Sequence, residues 1–230
     1  MKKKIFIWMC VLTALAGLIN ALAVRLFSIT VSHMTGVVTN AVVSASGKEF
    51  SNMGWLLSVA FSFLLGAIIS AYITGERDFY VKPVYGYIVI AIGILLFAGV
   101  HLLDLNGRMI IRLFAFLMGA QNGMIVSFKG VLVRMTHMTG YITDLGVFIG
   151  YKLRGKNKGN PWAGLVPFCG LVMFMIGGLL GIWLFSEIGF AVYNIVSIIY
   201  VLLGSIYLIA EKNSNDRNLN GIPDDFENQI

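Results

Sequence analysis

Charge is what this sequence has least of. Asp, Glu, Lys and Arg make up 12% of its 230 residues against 58% hydrophobic, and its mean hydropathy is +0.83, far outside the soluble range. No soluble domain of useful size fits between the apolar runs. The net charge of +6 sits in short loops beside those runs, which fits membrane topology and not a nucleic-acid partner. Cysteine is nearly absent too. Cys10 and Cys169 lie in separate apolar runs without CxxC spacing, so neither a disulfide framework nor a metal knuckle is implied, and both read as packing residues. Catalytic signatures are lacking as well. With no Ser-His-Asp order, HExxH, GxGxxG or P-loop, a hydrolase, a zincin or a nucleotide-binding domain has no support.

What is present is a series of apolar runs, most of them long enough, at about 1.5 Å per helical residue, to cross a hydrocarbon core of roughly 30 Å. The sequence therefore predicts an all-α membrane protein embedded in a lipid bilayer. Lys2-Lys3-Lys4 followed by an apolar run over 5–24 resembles a signal peptide, but the run is too long for an h-region. It reads as an uncleaved first helix over 5–27 with the N-terminus inside. Further spans are predicted over 55–74, 84–103, 110–128, 163–185 and 188–210. Charged residues 76–78 with Lys82-Pro83 mark one turn, and Asn106-Gly107 marks another. The basic loop with Lys152, Arg154, Lys156 and Lys158 is the strongest positive-inside signal. Trp55, Trp162 and Trp183, near span ends, read as interface anchors.

Against this background one polar octet stands out, His33-Met34-Thr35-Gly36-x-x-Thr39-Asn40. It recurs a little under half the chain later as His137-Met138-Thr139-Gly140-x-x-Thr143-Asp144. A second mark recurs with it, Gly17-x-x-Asn20 and Gly119-x-x-Asn122, with two more residues between Asn122 and its octet than between Asn20 and its own. Such a duplication implies a first membrane repeat over 1–107 and a second over 108–212, the two pseudo-symmetric. Each reads as helix, broken or re-entrant segment, helix, helix.

The β-branched approaches Ile29-Thr30-Val31 and Val131-Leu132-Val133 disfavour a continuous helix into either octet. An extended 29–32 followed by a helical 35–46 is long enough to cross as a broken helix; a re-entrant hairpin is the competing geometry. Full crossings give parallel halves of four spans, re-entrant segments give inverted halves of three. Both versions put the N-terminus, the Lys152 loop and the C-terminus on the cytoplasmic side. Loop charge does not choose, since Lys48 opposes one version and Arg77 with Lys82 the other.

At these residues the chain resembles the YoaK-like family of bacterial membrane proteins, a family without a known function. The likeness rests on Ser32-His33-Met34-Thr35-Gly36, on Gly119-x-x-Asn122 and on Thr139-Gly140-x-x-Thr143-Asp144-Leu145-Gly146, and it extends to Ala210. It implies a multi-pass protein of the bacterial inner membrane and brings no substrate or catalytic residue with it. Asn20 is a departure, since the resemblance implies an acidic residue there.

A half-helix starting inside a membrane offers unpaired N–H groups and a partial positive charge, a natural anion site. We expect Thr35 and Thr139 to cap such starts and Gly36 and Gly140 to allow close backbone approach. The predicted substrate-binding residues are His33, Thr35, Gly36, Thr39, Asn40, His137, Thr139, Gly140, Thr143, Asp144, Asn20, Asn122 and Arg134. Close helix packing through small residues is the plain alternative for Thr and Gly. The histidines suit ligand hydrogen bonding, proton transfer or metal ligation, with Asp144 the one evident acidic companion; Arg134 pairs with Asp144 or attracts an anion. The leading expectation is a small secondary transporter or channel for a small anion or zwitterion. A membrane-embedded metal-handling or redox enzyme using the paired histidines is the alternative, and a sensory or structural protein a third; whether the chain is an enzyme stays open.

The last residues, 213–230, form a polar tail. Asp216, Asn218, Asn220, Ile222 by its carbonyl, Asp224 and Glu227 fall in the pattern of a twelve-residue EF-hand calcium loop with Gly221 at its sixth position. Two of these ligands are neutral Asn and little chain follows, so a solvated tail competes with a Ca²⁺ site.

Overall fold

The computed structural model describes residues 2–75, 79, 81–103, 107–125, 127–155 and 160–213. The calcium-loop pattern at Asp216, Asn218, Asn220, Ile222, Asp224 and Glu227 lies outside them, as do 76–78, Asn106, Lys156 and Lys158. Among the described residues the chain is all-α apart from one two-residue β-ladder. In order it forms α1 (Lys2–Phe27), α2 (Met34–Ser46), α3 (Phe50–Thr74), α4 (Val84–Leu102), α5 (Arg108–Met124), β1 (Ser127–Phe128), β2 (Val131–Leu132), α6 (Met138–Leu153), α7 (Trp162–Ile188), a 3-10 turn (Gly189–Ala191) and α8 (Val192–Lys212). Four described stretches are long and apolar enough to cross a membrane, Lys3–Phe27, Phe50–Thr74, Val84–Leu102 and Trp162–Lys212, the last being α7 and α8 together. The exposed surface of α3 and α7 is rich in Leu, Ile and Phe, as a lipid-facing surface is.

Helix directions follow from who touches whom. Along α1 and α7, Phe6 meets Trp162, Gly17 meets Phe174 and Leu18 meets Gly181, so the two run parallel. Along α3 and α5, Ser58 bonds Arg112, Phe63 meets Gly119 and Ala67 meets Gly123, so these are parallel as well. Along α4 and α8, Gly86 meets Leu208, Gly93 meets Ser197 and His101 bonds Asn194, which is antiparallel. Trp8 of α1 packs on Tyr207 and donates to the Leu203 carbonyl, so α8 runs against α1. Therefore α4 runs with α1. With only residues 103–107 between them, and Gly99 against Leu113, α5 turns back on α4.

These helix directions decide between the two geometries left open by the sequence. Because α3 runs with α5, it runs against α1, and the segment 28–49 starts and ends at the same side. Likewise α5 ends and α7 starts at the opposite side, since α5 runs against α1 and α7 runs with it. Both interrupted segments are therefore re-entrant, and α2, with 13 residues at about 1.5 Å each, is too short to cross on its own.

Close approach of the helices is set by glycine. A Cβ at Gly17 would clash with the Phe174 carbonyl of α7, and one at Gly177 with the Ala14 carbonyl of α1. The α3 and α5 contact is made the same way, by Gly119 on the Phe63 carbonyl and Gly66 on the Phe116 carbonyl. Small residues let backbones touch, and in lipid such packing replaces the missing hydrophobic drive. At the centre of the bundle the fully buried Gln121 of α5 donates to the Leu12 carbonyl of α1 at 2.8 Å and accepts from the Tyr200 hydroxyl of α8 at 2.6 Å. Three helices are thereby tied through one amide.

The helix expected over 110–128 ends earlier, at Met124. Ser127–Phe128 instead pairs antiparallel with Val131–Leu132 around Lys129 and Gly130, both at positive φ, and the Ser127 carbonyl accepts from the Phe79 amide. The apolar composition continues past Met124, but Ile125 is already extended and the turn at 129–130 folds the following residues into a hairpin.

Candidate functional site

Each re-entrant segment is pulled into the bundle by an asparagine. Asn20 lies two turns before the end of α1, about 10 Å inside it. Its Oδ1 accepts from the Val31 amide at 3.1 Å, the Ser32 amide at 3.2 Å and the Ser32 hydroxyl at 2.9 Å. In the second half the Asn122 Oδ1 accepts from the Thr136 amide at 3.2 Å and its Nδ2 donates to the Thr136 hydroxyl in a short contact. These bonds satisfy backbone N–H groups that would otherwise be orphaned inside the membrane layer. Asn20 and Asn122 thus clamp the residue just before each octet.

From the clamps, α2 and α6 begin at once. His33 and His137 stand at the two N-cap positions with similar backbone angles, φ −109° and ψ 82° for the first, φ −92° and ψ 69° for the second. The expected threonine caps are not there. Thr35 and Thr139 fall at the second helical position, and neither helix start has a side-chain cap bond, so its first N–H groups are left for other partners. The glycines also act differently from expectation. The His33 ring lies back over the first turn, where a Cβ at Gly36 would come within 3.1 Å of His33 Nδ1; at Gly140 the corresponding distance to His137 Nδ1 is 2.8 Å. Gly36 and Gly140 make room for the imidazoles.

The two segments meet. A cavity of about 390 Å³ is lined by Ser32, His33, Met34 and Thr35 from the first, by Arg134, Thr136 and His137 from the second, and by Asn122, Gly123, Phe63 and Ala67 from α5 and α3. Arg134 and His137 also line a second cavity of about 310 Å³, with Thr139, Gly140, Tyr141, Thr143 and Asp144. Asp144 then borders a third, of about 350 Å³, with Gly130, Val147, Tyr151 and Asn160. Shared residues make the three cavities neighbours along α6, whose one buried residue is Tyr141.

Of the residues expected at the site, His33, Thr35, Asn122, Arg134 and His137 share the first cavity, while Thr139, Gly140, Thr143 and Asp144 border the second. Thr143 donates back to the Thr139 carbonyl at 3.0 Å. Thr39 and Asn40 are exposed on α2 and do not line the first cavity. Arg134 and Asp144 face one space without an ion pair between them among the described residues. No group of three or more His, Cys, Asp or Glu among the described residues is placed to hold a metal ion. Sequence reasoning passed over Phe63 and Ala67, which reach the cavity from α3 with no polar signal to mark them. Ser32 and Thr136, hydroxyl residues just before each histidine, did carry a signal in their matched positions.

The sequence pattern described as protein of unknown function DUF1275 matches residues 8–206. The chain belongs to the DUF1275 family. The match takes in both clamps, both octets and all but the last turns of α8, in agreement with the YoaK-like resemblance read from the motifs. No curated protein and no solved structure matches the chain. This DUF1275 protein is an all-α chain with helices apolar enough to span a membrane, and the cavity between its two interrupted segments is the candidate site.

Proposed function

We propose that this protein is a small secondary transporter or channel of the bacterial inner membrane, taking a small anion or zwitterion at the cavity between the two re-entrant tips. One observation carries the reading: the starts of α2 and α6, with His33, His137 and Arg134, line the same space. Two uncapped helix starts each present N–H donors and a partial positive charge, and Arg134 adds a full one. A negative group of a few atoms is the natural occupant.

In this reading residues 1–107 and 108–212 are inverted repeats about a pseudo-two-fold axis, with the tips facing one another across it. The recurring contacts support it, α1 on α7 with α5 on α3, α2 on α3 with α6 on α7, and α4 on α8. The N-terminus, Lys82, the Lys129 to Arg154 region and the end of α8 fall on one side, and placing that side in the cytoplasm leaves Arg25, Lys48, Arg108 and Arg112 as the exceptions to the positive-inside bias. A cytoplasmic tail would meet too little calcium to fill a weak loop with two Asn ligands, so the tail is accessory. The test is uptake of labelled small anions into proteoliposomes. Saturable uptake that Arg134→Gln lowers at least tenfold supports the reading; a purified protein carrying stoichiometric transition metal or a chromophore, with no uptake, favours an enzyme instead.

A further inference from the structure

Asp144 and Arg134 border the same cavity, beside the space between the tips, and the corresponding positions of the first half hold Asn40 and Thr30. Resting on the transport reading above, we propose that anion movement through this site is coupled to a proton carried by Asp144. The coupling is electrostatic. Arg134 and His137 belong both to the cavity between the tips and to the one containing Asp144, which in turn borders the third cavity along α6. An anion held by Arg134, or leaving along α6, meets the Asp144 carboxylate. While that group is ionised it cancels Arg134 and repels the anion; once protonated it leaves a net positive cavity and donates a hydrogen bond.

Proton and anion therefore each favour the binding of the other, and the coupling is reciprocal. The other groups facing Asp144 are few. His137 and Tyr141 share one cavity with it and Tyr151 the other, Arg134 is the fixed cation, and α7 contributes only Ala163 to those walls. Deprotonation of His137 would weaken anion binding in the same direction, so the assignment to Asp144 needs its own variant. For a monovalent anion one proton and one negative charge cross together, with no net charge moved. Neither is consumed or altered.

The experiment uses the full chain in proteoliposomes with nitrate and chloride as probes and a pH dye in the lumen, empty liposomes serving as the baseline. The wild type should acidify the lumen when a nitrate or chloride gradient is imposed. Its half-saturating anion concentration should rise with pH toward about tenfold per pH unit for one proton per anion. Asp144→Asn, which copies the residue already present at Asn40, should take up the anion without lumen acidification and with that pH slope lost; His137→Gln should lower uptake and acidification together and keep the ratio of protons to anions moved. Anion uptake by the wild type without acidification, or an Asp144→Asn variant that still moves protons with the anion, would overturn the coupling and leave the transport reading standing. No saturable uptake of either probe would overturn both.

Discussion

The two re-entrant segments are built alike and charged differently. In both, an amide two turns or less from a helix end holds the residue before a histidine, the histidine starts a short helix, and a glycine three residues on accommodates its ring. Yet three residues before the histidine one segment has Thr30 and the other Arg134, and seven residues after it one has Asn40 and the other Asp144. Thr30 does local work, donating to the His33 carbonyl at 3.2 Å. Features shared by both segments are those needed to fold a polar loop inside a membrane; features found in one are where the chemistry is to be sought.

The largest effect should come from breaking the shared scaffold. Gly119→Leu drives a side chain into the Phe63 backbone carbonyl, which cannot move aside as a flexible side chain can. Overpacking of this kind costs on the order of 3 kcal/mol or more, and Gly17→Leu should cost a similar amount against Phe174. Thermal unfolding in detergent should show both variants strongly destabilised or unfolded. A loss confined to one half would break the equivalence of the two contacts.

Next come the clamps. Asn20→Ala leaves the Val31 and Ser32 amides without their acceptor, at about 1–3 kcal/mol, and should speed hydrogen exchange over 28–33. Since all three bonds at Asn20 end on Oδ1, Asn20→Asp should keep them and restore protection. This also accounts for the departure noted at that position: an acidic residue and an asparagine can serve the same clamp. Asn122 is more demanding, because its Nδ2 is used as well. Asn122→Asp should therefore be rescued less completely, read as the difference in melting temperature between the two Asp variants.

Much of this was legible from the residues. Polar octets in apolar surroundings, the β-branched approach and the recurring Gly-x-x-Asn located both breaks, and length alone bounded the spans. What the sequence could not decide was direction, because whether α2 crosses or returns depends on α1 lying along α7 and α3 along α5, contacts between residues far apart in the chain. The roles of Thr and Gly within the octet were misread for a related reason. Thr35 was a credible cap only if the helix began two residues later; with His33 at the N-cap the hydroxyl falls inside the first turn. Asn20 and Asn122 were visible as polar marks, but nothing local revealed that their partners were the backbone before each histidine.

Smaller effects sharpen the comparison. Gly140→Ala places a Cβ 2.8 Å from His137 Nδ1 and Gly36→Ala one 3.1 Å from His33 Nδ1, so the first should displace its ring further and lower anion uptake more, by severalfold against a slight change. Equal effects would show that ring position does not limit uptake. Smallest of all should be deletion after Lys212, which removes the calcium-loop pattern and should leave uptake unchanged; calorimetry on the isolated tail should find Ca²⁺ binding weaker than micromolar.

The convergence of the two tips on one space is the claim on which the rest depends, and a thiol cross-link measures it directly. With Cys10 and Cys169 replaced by Ala, cysteines at His33 and His137, and a protease site inserted between α4 and α5, a short bifunctional thiol reagent should hold the two halves together after cleavage. Either cysteine alone should let them separate. Halves that separate fully in the double-cysteine protein, while both thiols are shown to have reacted, would contradict a common site.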